Sequence, residues 1–134
     1  MIRGISHIAV RVTDIERSLA FYRGILGFRE RFRLIKDDGS VRLVYLQLAD
    51  RQFVELFPGA EGPYAVGQTS AWVHLCLEVD DIDETYRYLT ARGLVTRGEP
   101  ILGADRSWQF WTTDPDGNQI EFHQFTPESR QMRG

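Results

Sequence analysis

Half of this sequence repeats the other half. HIAVRVTDIERSLAFY at 7–22 lies over HLCLEVDDIDETYRYL at 74–89 with a constant offset of 67. His7 falls on His74, Asp14 on Asp81 and Ile15 on Ile82. The ends of the halves also match. FVELF at 53–57 lies over QIEFH at 119–123 with an offset of 66, which puts Glu55 on Glu121. Identities are few, but order and spacing are kept. A repeat of this length means one supersecondary unit made twice, with each copy too small to bury its apolar face well alone.

Local patterns give the unit its content. Residues 5–12 alternate apolar and polar and are β-rich, which predicts a strand. Thr13-Asp14 caps a helix over 15–25, and Gly27 ends it. Ile15, Leu19, Phe21, Tyr22 and Leu26 give that helix one broad apolar face. Strands follow at 28–35, 41–48 and 52–57, with Asp37-Asp38-Gly39-Ser40 as a hairpin turn. Residues 58–70 carry Gly and Pro without a period and read as a linker. The second copy has a strand at 71–79, a helix at 82–91 stopped by Gly93, and strands at 94–98, 108–112 and 118–125. Asp114-Pro115-Asp116-Gly117 is the turn before the last strand. The tail, 126–134, is polar and expected to be loose. The expected fold is α+β: one domain over 1–134, with two βαβββ repeats at about 4–57 and 71–125. They form a curled mixed sheet around a metal-binding cleft, with helices outside.

Composition narrows the function. The 134 residues are 43% hydrophobic and 26% charged, which suits a folded domain. The formal charge is -3, and Lys36 is the only lysine, so no basic patch points to nucleic acid. Cys76 is the only cysteine, which excludes an internal disulfide and a Cys-based zinc cluster. No apolar run reaches membrane-spanning length. The opening MIRGISHIAVRV lacks the sections of a leader peptide, so a cytoplasmic location is the expectation.

His7, Glu55, His74 and Glu121 are the candidate ligands of one divalent metal. Alternation places His7 with Ala9 and Arg11 on one strand face, and Phe53, Glu55 and Phe57 on another. The same parity groups His74, Cys76 and Glu78, and groups Glu121, His123 and Phe125. Two carboxylates brought together without a cation repel, raising at least one pKa. A divalent ion removes that cost and keeps both imidazoles neutral. A single strand histidine is more often an ordinary packed residue. The case rests on two His–Glu pairs at matching places in a repeat. Imidazole with carboxylate suits Ni or Zn first, and also Co, Mn or Fe.

The stretch HIAVRVTDIERSLAFYRGILGF, VELF with Glu55, HLCLEV with His74, and DPDGNQIEF with Glu121 resemble the vicinal oxygen chelate superfamily over residues 4–125. That superfamily holds glyoxalase I, extradiol dioxygenases, methylmalonyl-CoA epimerase, and fosfomycin-resistance and bleomycin-binding proteins. Glutamate rather than glutamine at 55 is similar to bacterial glyoxalase I, lactoylglutathione lyase. The resemblance implies His7, Glu55, His74 and Glu121 as ligands and a homodimer in which site residues are often shared between chains. It also implies a small substrate with vicinal oxygens, processed as lyase or isomerase through an enediolate. Glu121 is the first choice of base, with Glu55 its partner. Arg11 matches an arginine that glyoxalase I turns towards glutathione. Gly59 stands where that family places an Asn, and Pro100, Ile101, Leu102 and Gly103 offer no basic residue, so Arg97 or Arg106 would have to substitute. Those departures argue against glutathione.

Two other readings stand beside this one. An Fe(II)-dependent extradiol dioxygenase would use His7, His74 and Glu121 on a small catechol. A non-enzymatic small-molecule or drug-binding protein would need no metal. Arg11, His123, Phe53 and Trp108 are the candidate substrate contacts. Arg11 reads equally as an ion-pair partner of Glu78, and His123 as a satisfied histidine near a strand end. Tyr45, Phe53, Trp108 and Phe110 read by default as core and otherwise as pocket lining. Tyr64 is a lid candidate by position alone. Cys76 reads as a buried, unreactive thiol.

Overall fold

The computed structural model describes residues 1–62 and 71–134. The chain divides into two compact units, Met1–Tyr64 and Ala65–Gly134. Tyr64 and most of the expected linker lie outside the described residues.

The first unit runs β1 (His7–Arg11), α1 (Ile15–Leu19) continued by a π-helical segment (Ala20–Ile25), β2 (Arg29–Ile35), β3 (Val41–Ala49) and β4 (Gln52–Phe57). Its sheet order is β1-β4-β3-β2. The second unit runs β5 (Leu75–Glu78), α2 (Ile82–Ala91), β6 (Ile101–Leu102), β7 (Trp108–Thr113), β8 (Gln119–Gln124) and a terminal helical turn, α3 (Arg130–Arg133). Its order is β5-β8-β7-β6. In each unit the first strand pairs parallel with the last, and the other pairs are antiparallel. A parallel pair cannot be joined by a tight turn, so the chain must cross over, and the helix begins that crossover. The expected twofold βαβββ plan is therefore present.

Both helices start the same way. The Asp14 carboxylate accepts from the Arg17 amide at 3.0 Å, and the Asp81 carboxylate from the Glu84 amide at 2.8 Å. Each satisfies one of the free donors of a first helical turn. Strand alternation then fills one side of each sheet. Val12, Leu19, Phe21, Tyr22, Val44, Leu46, Val54 and Leu56 are buried in the first unit. Leu77, Ile82, Leu89, Leu94, Phe110, Ile120 and Phe122 are buried in the second. Phe110 stacks on Phe122 with ring centres 4.5 Å apart, so it belongs to the core.

Four local features differ from expectation. The first helix is not α-helical throughout. Its second part is a π-helix, and the Leu26 amide reaches back to the Phe21 carbonyl at 3.0 Å. The wider turn rotates less per residue, which lets the consecutive Phe21 and Tyr22 both meet the core. The strand expected at 71–79 is confined to Leu75–Glu78. The strand expected at 94–98 shrinks to one bridge between Thr96 and Thr112, and pairing resumes at Ile101–Leu102. Gly98, with φ of +123°, and Pro100 interrupt the run. The tail is not loose. Ser129 is fully buried, and its hydroxyl lies 2.7 Å from that of Ser107. Asp105 binds the tail twice: its carbonyl accepts from the Arg130 amide at 2.8 Å, and its carboxylate from the Gln131 amide group at 2.6 Å.

The turn before β8 is tied by several hydrogen bonds to one carboxylate. Asp114, nearly buried, accepts from the amides of Asp116 and Asn118 at 2.9 Å and from the Asn118 side chain at 2.9 Å. It thereby fixes where β8 starts and which residue faces which on β7. Asp114→Ala should lower the unfolding free energy by about 2–3 kcal/mol in denaturant titration, through stranded buried donors. A change within about 0.5 kcal/mol would show that the turn does not depend on its carboxylate. Deleting residues 126–134 leaves the buried Ser107 hydroxyl without its Ser129 partner. That deletion should destabilise the fold by about 1–3 kcal/mol; an unchanged melting curve would mean that the tail is not structural.

Candidate metal centre

The face of each sheet turned away from the buried core carries the ligand candidates. In the first unit, Ala9 is the register partner of Glu55 across β1 and β4, and His7 that of Phe53. His7, Arg11, Phe53, Glu55 and Phe57 therefore share one face. His7 Nε2 lies 3.3 Å from Glu55 Oε2, with side chains 42% and 15% exposed. In the second unit His74 immediately precedes β5, and Cys76 pairs with Glu121. His74 Nε2 lies 3.2 Å from Glu121 Oε2, with side chains 32% and 10% exposed. What the structure brings together is each unit's own histidine and glutamate. Among the described residues no group of three or more His, Cys, Asp or Glu side chains is assembled. Joining the two pairs is a proposal, made below.

The donor spacing fits a shared cation. Two donors bonded to one first-row ion at about 2.1 Å, at angles between square and tetrahedral, stand about 3.0–3.4 Å apart. Both pairs fall in that range. Ring nitrogen and carboxylate oxygen are also the donor types that Ni, Zn, Co, Mn and Fe accept.

An aromatic residue sits beside each pair. Tyr45 is the cross-strand partner of Glu55, and Trp111 that of Glu121. The Tyr45 ring lies 5.7 Å from the His7 ring, and Trp111 meets the His74 ring edge-on at 4.9 Å. Phe32 stacks on Tyr45 at 4.8 Å, and Phe53 packs against it at 5.6 Å. Burial, followed by the charge and hydrogen bonding of Glu55, pushes the Tyr45 phenol above its ordinary value. Its hydroxyl therefore remains a donor.

Other candidates fall in different places. Arg11 is exposed on the His7 face. Phe53 is half-buried on that face, as a pocket-lining residue needs. Trp108 must be corrected. It pairs with Gln124, whereas Glu121 pairs with Trp111, so strand parity places Trp108 on the opposite face of the sheet. There it borders a separate pocket of about 230 Å³ with Leu102, Arg106, Thr126 and Glu128. His123 shares the Glu121 face but is only 5% exposed, and its Nε2 is committed to Asp105 Oδ2 at 3.1 Å. Hydrogen bonds from Gln131 and then His123 hold the Asp105 carboxyl well below the usual carboxylate range. His123 is thus a satisfied histidine tying β8 to the segment before β7.

Cys76 is exposed rather than buried, because it shares the open face with Glu121. Partial desolvation, then the Glu121 carboxylate, push its thiol up to about 12, so at neutral pH it is not a thiolate nucleophile. Sequence reasoning missed Trp111 and Asp105. Trp111 was within reach, because it stands 66 residues after Tyr45, the same offset that relates Glu55 to Glu121. Asp105 gives no such signal; its role depends on a loop with no counterpart in the repeat.

Comparison with known proteins agrees with this architecture. The model of the Glyoxalase/Bleomycin resistance protein/Dioxygenase superfamily matches residues 4–122. The chain is 33% identical to lactoylglutathione lyase of Haemophilus influenzae, covering 88% of this chain and 90% of that protein. It is 30% identical to ethylmalonyl-CoA/methylmalonyl-CoA epimerase of Cereibacter sphaeroides, covering 78% of this chain and 83% of that one. The crystal structure of a glyoxalase family protein from Enterococcus faecalis superposes with a TM-score of 0.77 at 22% identity, over 90% of this chain and 97% of that one. With a family model spanning nearly the whole chain, the protein belongs to the glyoxalase/bleomycin resistance protein/dioxygenase superfamily.

Proposed function

We propose that this protein is a divalent-metal-dependent lyase or isomerase of the glyoxalase I type, acting on a small substrate with two vicinal oxygens. The observation that carries the reading is the twin His–Glu pair, 3.3 and 3.2 Å apart, at equivalent places in the two repeats. The relatives named lactoylglutathione lyase and ethylmalonyl-CoA/methylmalonyl-CoA epimerase support this class of chemistry. In this reading His7, Glu55, His74 and Glu121 together hold one cation, with Ni or Zn preferred and Co, Mn or Fe compatible. The site belongs to a homodimer, either within a chain or across the pair.

When bound, the cation supplies Lewis acidity to the substrate's two oxygens and stabilises negative charge that develops there. The protein's own groups do the rest. His7 and His74 are neutral donors that orient the ion. Glu121, 7% exposed, would take the proton from the carbon beside those oxygens and return it to the neighbouring carbon. Glu55 would serve as its partner. Arg11 faces the same way as His7 and offers a fork for a substrate carboxylate. Gly59, together with the absence of a basic residue over 100–103, weighs against glutathione as the carrier.

The aromatic surface of Phe32, Tyr45 and Phe53 beside His7 favours a second reading. A flat catechol would stack there under Fe(II), with His7, His74 and Glu121 as ligands. Glu55 opposes it by occupying a position that a catecholate or oxygen needs.

The deciding experiment measures metal content and turnover together. Purified protein loaded with Ni or Zn should convert a hemithioacetal under anaerobic conditions, and a strong chelator should abolish this reversibly. Glu55→Gln and Glu121→Gln should each lower kcat by about 100-fold or more. Full turnover in both variants would refute the assigned roles. Oxygen uptake with a catechol under Fe(II), and no anaerobic turnover, would favour the dioxygenase.

A further inference from the structure

We infer that the pocket beside Trp108 is a second small-molecule site, one that takes a zwitterionic α-amino acid with an aromatic or branched apolar side chain. It does not depend on the metal-centre reading, because Trp108 lies on the sheet face opposite Glu121. Leu102, Arg106, Trp108, Thr126 and Glu128 line the pocket. The hairpin of β6 and β7 supplies one wall, and the anchored tail supplies the other.

The hairpin loop is built around an arginine where glycine would be easier. Arg106 has a left-handed backbone, with φ of +69°. Short hairpin loops favour glycine at such a position, because it has no Cβ to strain. The backbone of Arg106 is locked there. Its amide donates to the Gly103 carbonyl at 3.0 Å, and its carbonyl accepts from the hydroxyls of Thr126 at 2.7 Å and Ser129 at 3.3 Å. Its guanidinium, by contrast, has no hydrogen-bond or ion-pair partner among the described residues. A strained residue held by its backbone, with its charge left free at a pocket, is placed for a ligand.

The lining selects what that ligand is. Glu128 borders the same pocket but does not pair with Arg106 among the described residues. Its partner is Arg133 at 3.7 Å, with side chains 62% and 66% exposed. An ion pair that open to water is weak and exchangeable. One small pocket thus offers a cation and an anion that do not neutralise each other. A ligand with only a carboxylate would suit Arg106 and face Glu128 with like charge; an amine alone would do the reverse. A molecule with both groups satisfies both. Trp108 and Leu102, 39% and 44% exposed, offer apolar surface for its side chain. The Thr126 hydroxyl is spent on the Arg106 carbonyl and the Glu128 amide. The volume of about 230 Å³ is smaller than that of most drug-sized sites, which suits a molecule with one ring.

Titration calorimetry with L-phenylalanine and L-leucine, at neutral pH, tests this directly. Saturable binding with Kd of about 0.1–1 mM is expected for ligands of roughly a dozen heavy atoms. In NMR spectra the Trp108 indole N–H should shift on binding while that of Trp111, on the other face, stays. Arg106→Gly suits the left-handed backbone, so it should melt no earlier than wild type and yet bind phenylalanine about tenfold or more weakly. Glu128→Gln, an exposed change, should weaken phenylalanine about tenfold and leave 3-phenylpropanoate no weaker. No saturable binding up to about 10 mM overturns the inference. So does a shift at Trp111 in place of Trp108, or wild-type affinity in Arg106→Gly. Tighter binding of 3-phenylpropanoate than of phenylalanine by wild type overturns the zwitterion as the ligand class.

Discussion

The parallel pairing of the first strand of each unit with the last is the constraint on which the rest depends. It sets His7 one strand from Glu55, although 48 positions separate them, and does the same for His74 and Glu121. An antiparallel hairpin would bring together only near neighbours in sequence. A parallel pair demands a long connection, and here the connection contains the helix and both remaining strands. The element that closes each sheet is thus also the one that brings a carboxylate to an imidazole. Each sheet has one side filled by core and one side left to polar chemistry. The period of two along each strand divides open face from core residue by residue: Val54 and Leu56 inward, Glu55 between them outward.

Register matters as much as pairing. Moving β8 by one residue against β7 would exchange the faces of Glu121 and Phe122, burying a carboxylate in the core. Asp114 guards against this at the turn. In the first unit β3 and β4 are joined through a tight turn at Asp50-Arg51, where Arg51 has φ of +57°. These loops decide which side chains each sheet presents on its open face. The tail acts in the same sense. By holding Asp105 through Gln131, it keeps a partner for His123, which would otherwise sit in the sheet with an unsatisfied ring nitrogen.

Much of this was legible in the sequence, and the reasons are physical. The repeat exposed the topology, because two copies of a pattern constrain each other where one would be ambiguous. Asp14 and Asp81 marked helix starts through cap chemistry that acts over three residues. Glu55 and Glu121 stood out as charges inside apolar strands. Features fixed by interactions distant in sequence were not legible. Trp108 and Trp111 are both tryptophans three positions apart on one strand, and only the register with β8 tells which faces Glu121. His123 looked available because its partner lies 18 residues earlier in a loop without pattern. The tail looked loose because its anchoring is polar: two buried serines carry no hydrophobic signal.

The duplicated plan also leaves room for the surroundings of its two glutamates to differ. A perfect repeat would give both glutamates the same neighbours. Divergence at positions beside the two His–Glu pairs breaks that symmetry without disturbing the pairs. Position 45 carries a phenol and position 111 an indole, while the residues two beyond the histidines are Ala9 and Cys76. None of these changes alters the strand parity or the His–Glu spacing, which remains 3.3 Å in one unit and 3.2 Å in the other. Geometry is therefore conserved between the halves while the hydrogen-bonding environment is not.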